Sequence, residues 1–306
     1  MKDAVVVKSP SAVVPLSLRQ MVVGLELGQM DDQLIAFAQY LTHKIPTTAA
    51  HFAHVIPAPQ LLEAFYEDLA GRFDVKDSIL QNLEMTVQSF FGSQQLNPTY
   101  GAIEGYPLKE LLAIAEQREA DLVLIGQKAN TYEHGILAKS LARQSTVNTM
   151  IVPENAPLKI SKILVPIDFS PNSVKAFQTA FSLKQTLGEK VSLSCLNVFD
   201  MPNFSAYNIG RSPERFKEWI VESRQEAFQN FFNAYAPKHE EEIPGVLIER
   251  QGPGLANYIL NYAKAEGFDL IVMGAKGHSS LERLLMGSVT EKLLTINEQI
   301  PTLVVK

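Results

Sequence analysis

After the apolar run Asp269-Leu-Ile-Val-Met273, the chain reads Gly274-Ala-Lys276-Gly277, then nine residues, then Gly287-Ser288-Val289-Thr290. These residue types in this order could hold a phosphate. Glycine has no Cβ and lets a backbone approach a ligand closely. A helix opening at Ser288 offers N–H groups without internal carbonyl partners and the positive end of its dipole, and both favour an anion. The Ser288 hydroxyl adds a donor, and Lys276 either adds charge or stands as a solvated loop lysine. Glycines after a strand also serve as plain turns, so the pattern alone leaves both uses open. The fingerprints G-x-x-x-x-G-K-[ST] and G-x-G-x-x-G are absent. Gly252-Pro253-Gly254 reads as a chain break ahead of the next helix.

The second group with chemical potential is Asp168, in Val165-Pro166-Ile167-Asp168-Phe169-Ser170. A carboxylate there can accept hydrogen bonds from ligand hydroxyls or cap the start of a helix. Catalytic equipment is scarce. No Ser-His-Asp set, general base or metal-activated water can be assembled from the sequence, so catalysis is not the expected purpose. The histidines at 43, 51, 54, 134, 239 and 278 show no i,i+4 pair or other ligand spacing. The single cysteine, Cys195, lies in an apolar run and reads as a buried, inert strand thiol.

The elements that must position these residues alternate. Lys162 to Ile167 suits a buried strand, and Ser170-Pro171 caps and opens a helix. Val191 to Val198 is a strand, followed by a polar insertion and an amphipathic stretch from Pro213 to about Ala236. Val246 to Glu249 (strand), Pro253 to Glu266 (helix), Asp269 to Met273 (strand), Ser288 to about Gln299 (helix) and Thr302 to Val305 (strand) complete the pattern. Such alternation implies a parallel sheet with helices on both faces and ligands beyond the carboxyl ends of its strands. The insertion aromatics Phe216, Trp219 and Phe231-Phe232 suit either a partner surface or core packing.

This unit occurs twice. Asp121-Leu-Val-Leu-Ile-Gly126-Gln-Lys128 matches Asp269 to Lys276, Met21 to Glu26 matches Ile163 to Asp168, His54 to Pro57 matches Asn197 to Asp200, and Val147 to Val152 matches Ile300 to Val305. A conserved offset near 150 positions marks an internal duplication in a chain of 306 residues. The expected domains are 1–153 and 159–306, joined by the proline-flanked linker Pro153 to Leu158. The first copy departs from the second where chemistry would sit. Glu26 replaces Asp168, Gly24 replaces Pro166, Ala129 replaces Gly277, Ile136 falls where Ser288 would be, and the loop is about four residues shorter. A phosphate site is therefore expected only in the second half.

The spacing Gly274-x-x-Gly277-(nine residues)-Gly287-Ser288 resembles the nucleotide-binding signature of the universal stress protein family. The opening Val165 to Ser170, Asn197-Val198 and the closing Ile300 to Val305 extend the likeness across the second half. The resemblance implies two tandem adenine-nucleotide alpha-hydrolase-like (Rossmann-like) α/β domains, each a parallel five-stranded sheet, related by a pseudo-two-fold axis. It implies a nucleotide-binding regulatory role in stress response, with one ATP, ADP or AMP per chain. Pro166 and Ile167 would line the base and ribose pocket, Asp168 would accept nucleoside hydrogen bonds, and the Val198 backbone would read the adenine edge. Met273 and Gly274 would flank the ribose, while Gly277, Gly287, Ser288 and Val289 would hold phosphates. A divalent ion such as Mg2+ would bind through phosphates and water, because no carboxylate or histidine cluster offers it a cage. The last strands, Met150 to Val152 and Leu303 to Val305, would pair the halves as an intramolecular pseudo-dimer, with a further homodimer left open.

The bulk numbers fit. Net charge is −6, so no basic field invites nucleic acid. No run approaches the roughly 18 apolar residues of a membrane span, and the amino-terminal stretch does not read as a signal peptide, so a cytoplasmic protein is expected. A non-nucleotide stress-related interaction scaffold, or a small-ligand-binding protein without catalysis, is the alternative function.

Overall fold

The computed structural model describes residues 16–57, 75–92, 96, 98–128, 134–201, 213–236, 243–276 and 286–306. In the first half the elements run β1 (Leu18–Leu25), α1 (Asp31–Lys44), β2 (Thr47–Pro57), α2 (Val75–Phe91), β3 (Thr99–Gly105), α3 (Pro107–Gln117), β4 (Leu122–Gln127), α4 (His134–Gln144) and β5 (Asn148–Pro153). The second half repeats the series as β6 (Lys162–Pro166), α5 (Pro171–Leu187), β7 (Ser192–Asp200), α6 (Pro213–Tyr235), β8 (Gly245–Arg250), α7 (Leu255–Ala265), β9 (Leu270–Gly274), α8 (Ser288–Ile296) and β10 (Thr302–Val305).

All ten strands form one sheet in the order β3-β2-β1-β4-β5-β10-β9-β6-β7-β8. Pairing is parallel within each half and antiparallel at one place, where Thr302, Leu303 and Val304 of β10 meet Ile151, Met150 and Thr149 of β5. The sheet is thus mixed overall: two five-stranded parallel arrays share a seam. The central strands are buried on both faces, as parallel strands under helices must be. Alternate side chains feed two layers. Met21, Val23, Ile163, Val165 and Val272 face α1, α2, α5 and α6. Val22, Val123 and Ile125 face α3 and α4, whereas Leu164, Ile271 and Met273 face α7 and α8. Cys195 is fully buried among the first set, and burial raises its thiol pKa well above the usual range. That agrees with an inert strand thiol.

Several boundaries differ from expectation for local reasons. The helix expected from Pro253 starts at Leu255, because Gly254 takes a left-handed conformation (φ 89°, ψ 67°) at its N-cap. The helix expected to reach Gln299 ends at Ile296, where Asn297 turns the chain: its Nδ2 donates to the Ile300 carbonyl and its Oδ1 accepts from Ile300 N–H at 3.1 Å. The connection after Pro153 is docked rather than loose. Ala156 is buried, its carbonyl accepts from Gln33 Nε2 at 2.5 Å, and Tyr40 Oη accepts from Ile160 N–H at 2.9 Å. More bonds cross between the halves at Leu16 N–H to Thr186 Oγ1 (2.7 Å), Gln127 Nε2 to the Leu294 carbonyl (3.0 Å) and Arg143 to Glu291. Among the described residues no helix is long and apolar enough to cross a membrane.

His51 on β2 is 2% exposed, with Nδ1 2.9 Å from Thr99 Oγ1. Desolvation, aided by the Arg118 cation, lowers its pKa to about 4. The unfolded chain therefore binds this proton below its ordinary pKa of about 6.5, while the native state refuses it until about pH 4. Stability should fall as pH drops through that window, by up to about 3 kcal/mol. Urea midpoints at pH 7, 5.5 and 4.5 should show the loss, and His51→Gln should flatten it. An unchanged slope in the variant would refute this assignment.

Candidate functional site

The site grows from the carboxyl end of β6. Beyond Pro166 the chain passes Ile167 and Asp168 and turns at Phe169, whose φ of 63° is left-handed and costly for a non-glycine residue. Packing holds that turn: the Phe169 ring lies 5.3 Å from Phe228 and 6.0 Å from Phe231, both on α6. Ser170 then caps α5, its Oγ accepting from Ser173 N–H at 3.3 Å, and Pro171 fills the first helical position. Asp168 Oδ1 accepts from Ser170 N–H at 3.0 Å and so steadies the residue that caps the helix. Its side chain also lines the cavity described below.

The second wall is β7. Asn197 Nδ2 donates to the Ile167 carbonyl at 2.7 Å, and Ile167 N–H donates to the Leu196 carbonyl at 2.8 Å. Asn197 is itself held, since Arg224 Nη1 donates to its Oδ1 at 2.9 Å. The Arg224 guanidinium lies 5.0 Å from the Phe199 ring centroid, and burial lowers its pKa. The amphipathic stretch is thus tied to the site: α6 supports Phe169 on one side and Asn197 on the other. Phe231 and Phe232 are core residues, whereas Trp219 is 60% exposed beside Phe216, at 5.5 Å between rings.

The third wall is β9 and the start of α8. Gly274 is needed for packing: a Cβ there would lie 2.8 Å from the Asn172 carbonyl oxygen and 2.9 Å from its carbon. Close approach of the α5 backbone is therefore a reason for glycine here that the sequence did not reveal. Gly287 sits at the N-cap of α8 with φ −62°, which any residue can adopt. Its N–H donates to the Ala275 carbonyl at 2.8 Å, which joins the start of α8 to the end of β9. Thr290 Oγ1 donates to the Gly274 carbonyl at 3.0 Å and fastens helix to strand. No side chain caps α8, so the N–H groups of its first turn lack both a helical partner and a side-chain acceptor at the N-cap.

These walls enclose a cavity of about 220 Å³. Pro166, Ile167, Asp168, Val198, Met273, Gly274, Gly287, Ser288 and Val289 all line it. Gly277, the tenth residue singled out in the sequence, lies outside the described residues. Lys276 is also a lining residue. Sequence reasoning missed Leu196, Leu255, Ile259, Ser173 and Thr290. Leu255 and Ile259 stand four apart on α7, so helical periodicity marked them as facing inward but could not say that a cavity lay there. Among the described residues no group of three or more acidic, histidine or cysteine side chains could hold a metal.

The corresponding turn of the first half is built differently. Asp31, at the start of α1, accepts from the N–H groups of Glu26 (3.1 Å), Leu27 (2.6 Å) and Gly28 (3.2 Å). Burial raises its pKa despite those three donors. Glu26 is 2.9 Å from Lys128 Nζ. Ile136 is 51% exposed at the start of α4.

A doubly wound α/β sheet with a largely apolar cavity beyond its carboxyl edge defines the class of the fold. A model of the universal stress protein family matches residues 159–306. Universal stress protein MJ0531 of Methanocaldococcus jannaschii is 33% identical over 149 residues, which is 47% of this chain and 81% of that protein. Universal stress protein YxiE of Bacillus subtilis is 33% identical over 150 residues, 48% of this chain and 99% of that protein. The chain belongs to the universal stress protein family. A crystal structure of a universal stress protein from Archaeoglobus fulgidus superposes with a TM-score of 0.63 at 15% identity, covering 94% of this chain and 98% of that one. A putative universal stress protein from Pseudomonas aeruginosa gives 0.61 at 17% identity, covering 94% and 93%. At such identities these two likenesses concern the fold.

The two glycines should respond differently to a methyl group. Gly274→Ala must displace the first turn of α5 and should cost about 1–3 kcal/mol. Gly287→Ala, at an unstrained N-cap, should cost no more than about 1 kcal/mol. Urea denaturation of the two variants checks this, and equal losses would refute the packing role given to Gly274.

Proposed function

We propose that the chain is an adenine-nucleotide-binding regulatory protein of stress response, with one ATP, ADP or AMP held by the second half. The observation that carries this is the pairing, across one cavity, of the Asp168 carboxylate with the uncapped start of α8 at Ser288. A carboxylate suits the hydroxyls of a ribose, and a helix start suits phosphate oxygens. Apolar Ile167, Val198 and Ile259 supply walls against which a base can pack. Pro166, Met273 and Gly274 shape the middle of the cavity, while Ser288 and Val289, with Gly277 and Gly287 shaping the loop, would meet the phosphates. Lys276 would add charge at that end. A Mg2+ ion would be carried by the phosphates and water. Membership of the family supports this reading, as does the order of its motifs along residues 159–306.

In this reading the first half takes no nucleotide, since Glu26 is engaged by Lys128 and Ile136 stands where Ser288 would be. The two halves act as an intramolecular pseudo-dimer, a proposal supported by the antiparallel seam of β5 and β10. Occupancy then biases shape through residues shared with α6. A scaffold role without ligand is the second reading, favoured by the exposed Trp219 on that helix.

Heat-denatured protein analysed by liquid chromatography, with native mass spectrometry alongside, should give one adenine nucleotide per chain. Asp168→Ala and Gly277→Val should each abolish retention, and Glu26→Ala should leave the stoichiometry unchanged. Protein that carries no nucleotide and gives no heat on titration with ATP would overturn the proposal.

A further inference from the structure

The first half keeps a cavity at the place equivalent to the one described above. It measures about 520 Å³, and Gly24, Leu25, Glu26, Val55, Leu111 and Lys128 are among its walls. The repeat sets these beside Pro166, Ile167, Asp168, Val198, Ile259 and Lys276 of the other cavity. Three costly details have been kept with it. Leu27 holds a left-handed φ of 59° directly after the acidic residue, as Phe169 does at 63°. His54 donates from Nδ1 to the Leu25 carbonyl at 3.0 Å, as Asn197 donates to the Ile167 carbonyl. A carbonyl only accepts, so the proton is on Nδ1 and Nε2 is left as an acceptor. A carboxylate is again among the walls.

What has changed is the chemistry. The phosphate features are gone, because Ile136 and Ala129 occupy the positions of Ser288 and Gly277. The carboxylate and the ammonium at the positions of Asp168 and Lys276 are kept, and here they stand 2.9 Å apart, with side chains 34% and 25% exposed. Such a pair presents an acceptor and a donor side by side and is electrically neutral as a unit. Two adjacent hydroxyls match it, one donating to Glu26 and the other accepting from Lys128. A phosphate would meet the Glu26 carboxylate without the second glycine and the serine hydroxyl that the second-half motif supplies. The remaining walls, including Val55, Leu111, Ile125 and Leu137, are apolar and suit a ring.

We infer that the Glu26–Lys128 cavity of the first half is a second ligand site, selective for an uncharged molecule that carries a vicinal diol on an apolar ring system. A nucleoside and an aryl glycoside share that chemistry. This site is independent of nucleotide binding in the second half.

The test is methyl NMR on the full-length chain, titrated separately with adenosine, phenyl β-D-glucopyranoside, 2′-deoxyadenosine and AMP. Adenosine or the glucoside should shift the methyls of Leu111, Ile125 and Leu137 saturably, and the tighter of the two identifies the source of the diol. AMP should bind at these methyls at least tenfold more weakly than adenosine. If adenosine is preferred, 2′-deoxyadenosine should also lose at least tenfold. Glu26→Gln and Lys128→Met should each weaken the preferred probe at least tenfold while methyls elsewhere keep their native positions. No saturable shift with either diol overturns the inference, as does AMP binding as tightly as adenosine or an unaltered affinity in Glu26→Gln. The methyls of Ile259 and Val289 report the other cavity in the same spectra, so failure of one site is distinguishable from failure of the other.

Discussion

The candidate cavity of the second half opens where the ladder between two parallel strands stops. β6 and β9 pair only through Ile163 with Leu270 and Leu164 with Ile271. The equivalent strands of the first half, β1 and β4, stay in register for four pairs, as far as Gly24 with Ile125. Pro166 stands where Gly24 stands, and proline has no N–H to give to a ladder. Beyond Leu164 no further pair joins the two strands, and Pro166 to Asp168 line one cavity with Met273 and Gly274. Because β6 lies at the centre of its array, with its next strand on one side and β9 on the other, this is the switch point at which open α/β sheets leave a crevice.

Holding that gap open requires support from elements distant in sequence. The left-handed Phe169 would relax if its ring were not clamped by Phe228 and Phe231. Asn197 would lose its orientation without Arg224, whose own position over Phe199 makes it part of the packing. Both supports come from α6, the long helix that follows the polar insertion. A helix that carries the exposed Trp219 outward and braces two walls of a cavity inward is a physical route by which ligand and surface can influence one another. Gly274 adds a third constraint, because the α5 backbone passes where its side chain would be.

The two halves solve one packing problem together. Each five-stranded array would end in an apolar strand, and such edges invite uncontrolled pairing. Joining β5 to β10 turns both into interior strands of a ten-stranded sheet. Arg143 with Glu291, Gln127 with the Leu294 carbonyl, and Lys306 with the carbonyls of Ala142 and Arg143 extend the contact to the helices over that seam. Once joined, the halves were free to differ at their carboxyl edges. The Pro166 and Gly24 pair, the Asp168 and Glu26 pair, and the Ser288 and Ile136 pair are the clearest marks of that divergence.

The sequence by itself determined the repeat, the alternation of strand and helix, and most of the residues around the second-half cavity. Those features are local: periodicity, capping residues and glycine spacing act within a dozen positions, and a self-comparison reveals the duplication without any fold. Burial of Cys195 and the helix starts at Pro171 and Ser288 were legible for the same reason. Only the tertiary structure decided why Gly274 must be glycine, since the clashing atoms belong to Asn172, about a hundred positions away. It also placed Arg224 on Asn197, buried Ala156 in what reads as a linker, and set Lys128 on Glu26 beside a cavity that the lost phosphate motif gave no reason to expect. Those outcomes are contacts between segments remote in sequence, and the composition of neither segment encodes the partner it will meet.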